Sequence, residues 1–164
     1  MQAFHLFTAD VRGDRRNTVY PHAVEINTLA QLQQAAQYDH VGAAFKDNRR
    51  QNEGFLWADC LIADVDNAAG DVVEPAQIAD DLPDVQHYVL YSRHHLLAKG
   101  TAPAVPRFHV IFPIERTESR EQLGGLKRAL CSRSWRVWTA RGSSLALSSL
   151  RARPWTVCLL WTRC

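Results

Sequence analysis

The run Cys60-Leu61-Ile62-Ala63 passes without a break into Asp64-Val65-Asp66-Asn67, so an apolar segment of strand length ends in two carboxylates one residue apart. Successive strand side chains point to opposite faces, and a strand over 60–66 therefore sets both carboxylates on the same face. Two like charges that close repel unless a cation lies between them. Hard divalent ions such as Mg²⁺ are commonly held by one or two carboxylates together with substrate phosphates. Taken alone, Asp-x-Asp more often marks a strand running out into a solvated acidic turn, so its meaning depends on what the fold sets beside it.

A second strand carries the complementary chemistry. In Pro106-Arg107-Phe108-His109-Val110-Ile111-Phe112-Pro113-Ile114, alternation puts Arg107 and His109 on one face and Phe108, Val110 and Phe112 on the other. The apolar set can bury against helices, leaving Arg107 and His109 on an open face. If this strand neighbours the Asp64/Asp66 strand, the four side chains compose a triphosphate site, with a metal on the carboxylates and Arg and His donating to phosphate oxygens. Tyr91-Ser92-Arg93-His94-His95 ends another strand where a loop begins. Arg93, His94 and His95 there either reach phosphate or template or form a solvated basic turn. No spacing in the histidines completes a zinc site.

The other elements follow from local patterns. Phe4–Phe7 alternates as a strand, and Asp10–Thr18 is a charged loop. Thr28 with Gln31 makes a capping box for a helix to about residue 37, with Leu29, Leu32 and Ala36 on one face. A strand is predicted over Val41–Phe45, then a polar, basic loop Lys46–Asn52. Pro75 suits the first turn of a helix to about Leu82. Strands over 87–92 and 107–114 are followed by a helix from Thr117 to about Leu130, with Glu118 and Glu121 at its start and Lys127 and Arg128 at its end, as the helix dipole prefers. Strands alternating with helices in this way predict an α+β sheet with helices packed on one face.

At 164 residues the chain has the length of one domain. No uninterrupted apolar stretch approaches the ~20 residues of a spanning helix, and the start lacks the basic and apolar regions of a signal peptide, so no membrane association and a cytoplasmic location are expected. The four cysteines show no paired spacing and read as free thiols. The net charge of +2 conceals an asymmetry: all 17 acidic residues lie in 1–121, whereas 122–164 has no acid and 8 Lys and Arg. That stretch also holds four of the five Trp and three of the four Cys, and loses apolar periodicity past about Leu130.

In order, Asp64-Val65-Asp66, Ser92-Arg93-His94-His95 and Pro106-Arg107-Phe108-His109 resemble the archaeo-eukaryotic primase superfamily, and more narrowly the primase-polymerase domains of phage and plasmid replication proteins. The stretch Lys46 to Phe55 is similar to that group's basic, Asn-rich segment ahead of the metal strand. The resemblance covers about residues 35–130. It implies an RRM-like antiparallel or mixed sheet with helices on one face, and template-directed nucleotidyl transfer from NTPs or dNTPs with Mg²⁺ or Mn²⁺. By matching motifs, Asp64 and Asp66 would be catalytic metal ligands and His109 the nucleotide-binding histidine. Ser92, Arg93, His95 and Arg107 would contact nucleotide phosphates, and Lys46, Arg49 and Arg50 a single-stranded DNA template. A helicase domain or partner is a further implied companion.

One element of the family pattern is missing: a third carboxylate is expected after the helix ending near Leu130, and no acid lies there. The expectation is an incomplete, C-terminally truncated catalytic domain over 1–130 with an atypical basic Trp/Cys/Ser-rich tail over 131–164. One hypothesis for the tail is out-of-frame translation. Trp is encoded by TGG and every Thr codon begins AC, so reading two bases later across Trp138-Thr139 forces an aspartate codon. The codons through Ala146 then permit, without forcing, a family-like Asp-Ser-x-Arg-Phe-Phe segment. The alternative is a genuine basic tail that binds nucleic acid by phosphate contacts and stacking. Gene sequence from codon 115 onward separates the two. For the whole chain, the alternatives to a primase-polymerase are a non-catalytic nucleic-acid-binding module and a metal-dependent nuclease using the same carboxylates.

Overall fold

The computed structural model describes residues 1–67, 72–98, 100–101 and 103–130. The tail over 131–164, with both readings of it, lies outside the described residues. The fold is mixed α+β, with two antiparallel sheets and three helices among the described residues. The longest strands are β5 (Phe55–Asp66) and β7 (Arg107–Thr117), the two segments that alternate most strongly in the sequence. They pair with each other and lie inside a four-stranded sheet of order β4-β5-β7-β6, with β4 at Ala43–Phe45 and β6 at Tyr88–Tyr91.

One face of this sheet is apolar along its whole length. Leu61, Ala63 and Val65 of β5 and Phe108, Val110 and Phe112 of β7 bury there with Ile78 and Leu82 from the α2 segment (Pro75–Asp81 and its C-cap) and Leu123 of α3 (residues 120–130). Pro75 occupies the first turn of α2, where its missing N–H costs no hydrogen bond. This is the helix-covered face that the alternation predicts.

The opposite face departs from a single sheet left open on one side. A second sheet, order β2-β1-β3, built from β1 (Phe4–Thr8), β2 (His22–Ile26) and β3 (His40–Val41), packs on it together with α1 (Leu29–Ala35). Phe4, Leu6, Ile26, Leu32 and Ala35 bury against Cys60 and Ile111, with Ile62, Tyr88 and Leu90 at the margin. Among the described residues, this cover reaches only part of the way along β5 and β7.

Several local differences from the sequence reading have physical causes. The predicted strand over 41–45 is split at Gly42: β3 pairs with β1 and β4 pairs with β5, so the chain changes sheet there. A Cβ at Gly42 would come within 2.9 Å of Cys60 Sγ, and only glycine lets the crossing backbone lie that close. The Thr28/Gln31 capping box is present, but Leu29 is exposed and Leu32 with Ala35 forms the buried face. Strand β2 lacks a strong sequence signal because, as an edge strand, it buries only Ile26 fully. Among the described residues, no helix is long and apolar enough to cross a membrane.

Candidate active site

Where the small sheet stops, the second face of β5 and β7 turns from apolar to charged. The antiparallel register sets Asp64 directly opposite His109 and Asp66 directly opposite Arg107. Alternation places all four on the face shared with Cys60, Ile62 and Ile111, so the two motifs read from separate parts of the sequence meet across one strand pair. β4 pairs with β5 only between residues 55 and 58, so among the described residues the carboxylate end of β5 has no neighbouring strand on that edge.

The two cross-strand pairs differ in character. His109 Nε2 lies 3.5 Å from Asp64 Oδ1, with both side chains about one-quarter exposed. Burial holds the His109 pKa below its ordinary value, so near neutral pH this is a neutral imidazole beside a carboxylate rather than an ion pair. The Asp66–Arg107 pair is tight: Arg107 Nε donates to Asp66 Oδ1 at 2.9 Å. Arg107 is buried while Asp66 is half exposed, so the charge of the pair meets solvent through the carboxylate.

Arg107 also donates Nη1 to the carbonyls of His94 at 3.2 Å and Leu97 at 2.8 Å, and Nη2 to that of Pro103 at 3.1 Å. Four of its five N–H donors are thus engaged within the protein. The guanidinium is the hub of the β6–β7 connection. Reaching a phosphate, as the motif resemblance implies for it, would break contacts that hold this turn. Leu96, inside the same turn, adopts φ +54°, a left-handed conformation that a leucine keeps only when its surroundings enforce it.

The other residues singled out in the Ser-Arg-His-His stretch shape the turn. Ser92 N donates to the Arg107 carbonyl at 2.9 Å, and Ser92 Oγ accepts from His94 N at 3.2 Å. His95 Nδ1 accepts from Arg107 N at 3.3 Å, and its ring lies 4.3 Å from that of Tyr91. Tyr91 pairs with Phe108, so His95 rests toward the strand face opposite the carboxylates. Arg93 is exposed and lies against Gly13 in the β1–β2 loop. Lys46, Arg49 and Arg50 lie in and just after a 3-10 turn at Lys46–Asn48, with Arg49 bridged to Val19.

Two residues near the site have no counterpart in the motif reading. His40, the first residue of β3, sets its ring edge-on to His109 with centroids 5.8 Å apart. Its Nδ1 donates to the Tyr38 carbonyl at 2.9 Å, which leaves Nε2 as an acceptor, and that atom is buried with no hydrogen-bond partner among the described residues. Asp59, buried in mid-strand at the register shift between Ala58 and Cys60 in the β5–β7 pairing, accepts from His5 N at 2.9 Å and contacts His5 Nδ1 at 2.7 Å, tying β1 to β5. The sequence signal for Asp59 was a charge inside an apolar strand; for His40 there was none.

A cavity of about 50 Å³ between the β3–β4 crossing, the free edge of β5 and α3 is lined by His40, Arg50, Cys60, His109 and Lys127 among others. That volume has room for a few waters and not for a nucleotide, so a ligand as large as a nucleoside triphosphate would have to lie on the strand face outside it. No group of three or more His, Cys, Asp or Glu suited to a metal ion occurs among the described residues. Two carboxylates on one strand face fit a hard cation whose remaining ligands are phosphate and water, and do not fit an all-protein cage. Compared with protein-family models, with curated proteins and with solved structures, the chain matches none. The resemblance carried by the Asp-x-Asp, Ser-Arg-x-His and Arg-Phe-His segments is one of local motifs.

Proposed function

We propose that the chain is a catalytic domain of primase-polymerase type, transferring nucleotides from NTPs or dNTPs to a growing strand on a single-stranded DNA template. What supports this reading above all is the cross-strand register of Asp64 with His109 and Asp66 with Arg107 at the uncovered end of the sheet face. Asp64 and Asp66 would hold Mg²⁺ or Mn²⁺, which when bound supplies charge neutralisation on the triphosphate and activates the attacking hydroxyl. His109, neutral through burial, is suited to hydrogen-bond a phosphate oxygen or hydroxyl rather than to act as a fixed cation. Arg107 acts by position, orienting Asp66 and holding the turn that bears Arg93. The reaction in this reading is attack of a 3′-hydroxyl on the α-phosphate with departure of pyrophosphate.

A second reading, a non-catalytic nucleic-acid-binding module, draws on one observation: the Arg107 guanidinium is committed to protein partners and does not reach out to substrate. The two readings separate on a primer-synthesis and primer-extension assay with Mg²⁺ or Mn²⁺. Catalysis requires activity that falls at least about 100-fold in Asp64→Asn, the order of loss for removing a group that stabilises transition-state charge. A silent module shows no incorporation and keeps, or tightens, DNA binding in the same variant. Degradation of DNA without added nucleotides would identify a nuclease instead.

A further inference from the structure

The β1–β2 loop unites basic segments that are far apart in the sequence. At one end Gly13, at φ +73°, lies so close to Arg93 that a Cβ there would overlap the guanidinium. At the other end the loop pairs with the segment after β4: Tyr20 N donates to the Asn48 carbonyl at 2.8 Å, Arg50 N donates to the Thr18 carbonyl at 2.7 Å, and Val19 bridges Arg49. Between these anchors the loop carries Arg15 and Arg16, both exposed and neither in an ion pair with a described residue. The loop's own carboxylates are largely engaged: Asp10 contacts His22 at 2.6 Å and Asp14 accepts from Arg16 N at 2.9 Å. Asp39, which fastens the loop, accepts from Gly13 N and Asp14 N.

Asp39 also fixes where this band runs. It directly precedes His40, whose ring abuts His109 of the carboxylate face, while Arg93 follows Ser92, which bonds to Arg107. The loop therefore skirts the site. Exposed arginines strung along a surface loop suit a polyanion contacted phosphate by phosphate, not one compact anion in a pocket.

We propose that the β1–β2 loop carries a single strand of nucleic acid past the carboxylate face, its phosphates held by Arg15 and Arg16 between Arg93 at one end and Arg49 with Arg50 at the other. This rests on the reading above, in which a template must pass the carboxylates, but its test does not require catalysis. The measurement is binding of a fluorescently labelled oligo-dT to the full chain across a salt series. Each phosphate contact on a single strand contributes about 0.7 to the slope of log K against log salt. Arg15→Ala/Arg16→Ala should lower that slope by about 1.4, and Arg15→Glu/Arg16→Glu should lower it further, with thermal melting unchanged because both residues are exposed. The basic segment 131–164 is common to all variants and cancels in the difference.

An unchanged slope in both double variants, or an equal loss from Arg116→Ala outside the loop, overturns the proposal. Failure of the catalytic reading is distinguishable: no nucleotide incorporation with a lowered slope sinks the enzyme and keeps the strand path. Normal incorporation on template with an unchanged slope does the reverse.

Discussion

The two faces of the β5–β7 pair are built from the same strands and have opposite fates. On one, Leu61, Ala63 and Val65 face Phe108, Val110 and Phe112, and helices cover the entire length. On the other, Cys60, Ile62 and Ile111 are covered by the small sheet, and one step further along the strands carry the partly exposed Asp64, Asp66 and His109, with Arg107 buried under the β6–β7 connection. The difference arises from the length of the cover, since alternation alone supplies both faces. A sheet face left uncovered must carry groups that tolerate water, and an uncovered stretch beside a packed one is where a substrate can be held against a rigid floor.

The comparison predicts a gradient of sensitivity, and Phe108→Ala marks its steep end. Phe108 is fully buried between β5 and the helices, so its truncation removes apolar burial and leaves a cavity at about 3–5 kcal/mol. Chemical denaturation of the variant measures this directly. A loss below about 1 kcal/mol would mean that the helix-covered face is not the stabilising one.

Arg107→Met should follow. Its aliphatic stem is kept, but the carbonyls of His94, Leu97 and Pro103 lose their donor and Asp66 loses its partner. Unsatisfied buried acceptors cost of order 1–3 kcal/mol. Because the Leu96 left-handed conformation is enforced by the clamped turn, the effect should concentrate in residues 92–98 and 104–105, read as faster amide hydrogen exchange there than in the strands.

Alternation in 60–66 and 107–114 sets the two carboxylates on one face of their strand and Arg107 with His109 on one face of theirs, because strand periodicity is a local property, whereas the pairing of the two strands is a long-range contact that enters the sequence reading only as a condition. The destination of the Arg107 guanidinium was not readable, since its carbonyl partners depend on how the β6–β7 connection folds back. The small sheet escaped for a related reason: β2 is a half-exposed edge strand, and Gly42 reads as an ordinary strand residue until two sheets claim its two sides. His40 became visible only when β3 brought it against His109.

Acid should weaken the uncovered end more gently. Burial lowers the pKa of both His40 and His109, with His109 adding to the shift of His40. Below the ordinary histidine value of about 6.5 the unfolded chain binds protons that the folded chain refuses, so stability is full above that pH and falls as pH drops toward the lowered folded values. The contribution isolates as a difference: His109→Asn should show a shallower decline in stability between pH 7.5 and 5 than the parent chain. Parallel curves would mean that His109 is protonated equally in the folded and unfolded states.

The smallest effect on folding belongs to the residue with the largest proposed effect on activity. Asp64 is about one-quarter exposed, and the His109 imidazole 3.5 Å away is neutral, so Asp64→Asn breaks no ion pair with that neighbour and keeps the size of the side chain. Stability should change by less than about 1 kcal/mol, while nucleotide incorporation is lost. Such a split is the mark of a site laid on a scaffold that does not depend on it. A carboxylate whose removal unfolds the chain would instead belong with Asp59, which stands on the same strand but joins the two sheets through His5 and is held by packing rather than offered to a ligand.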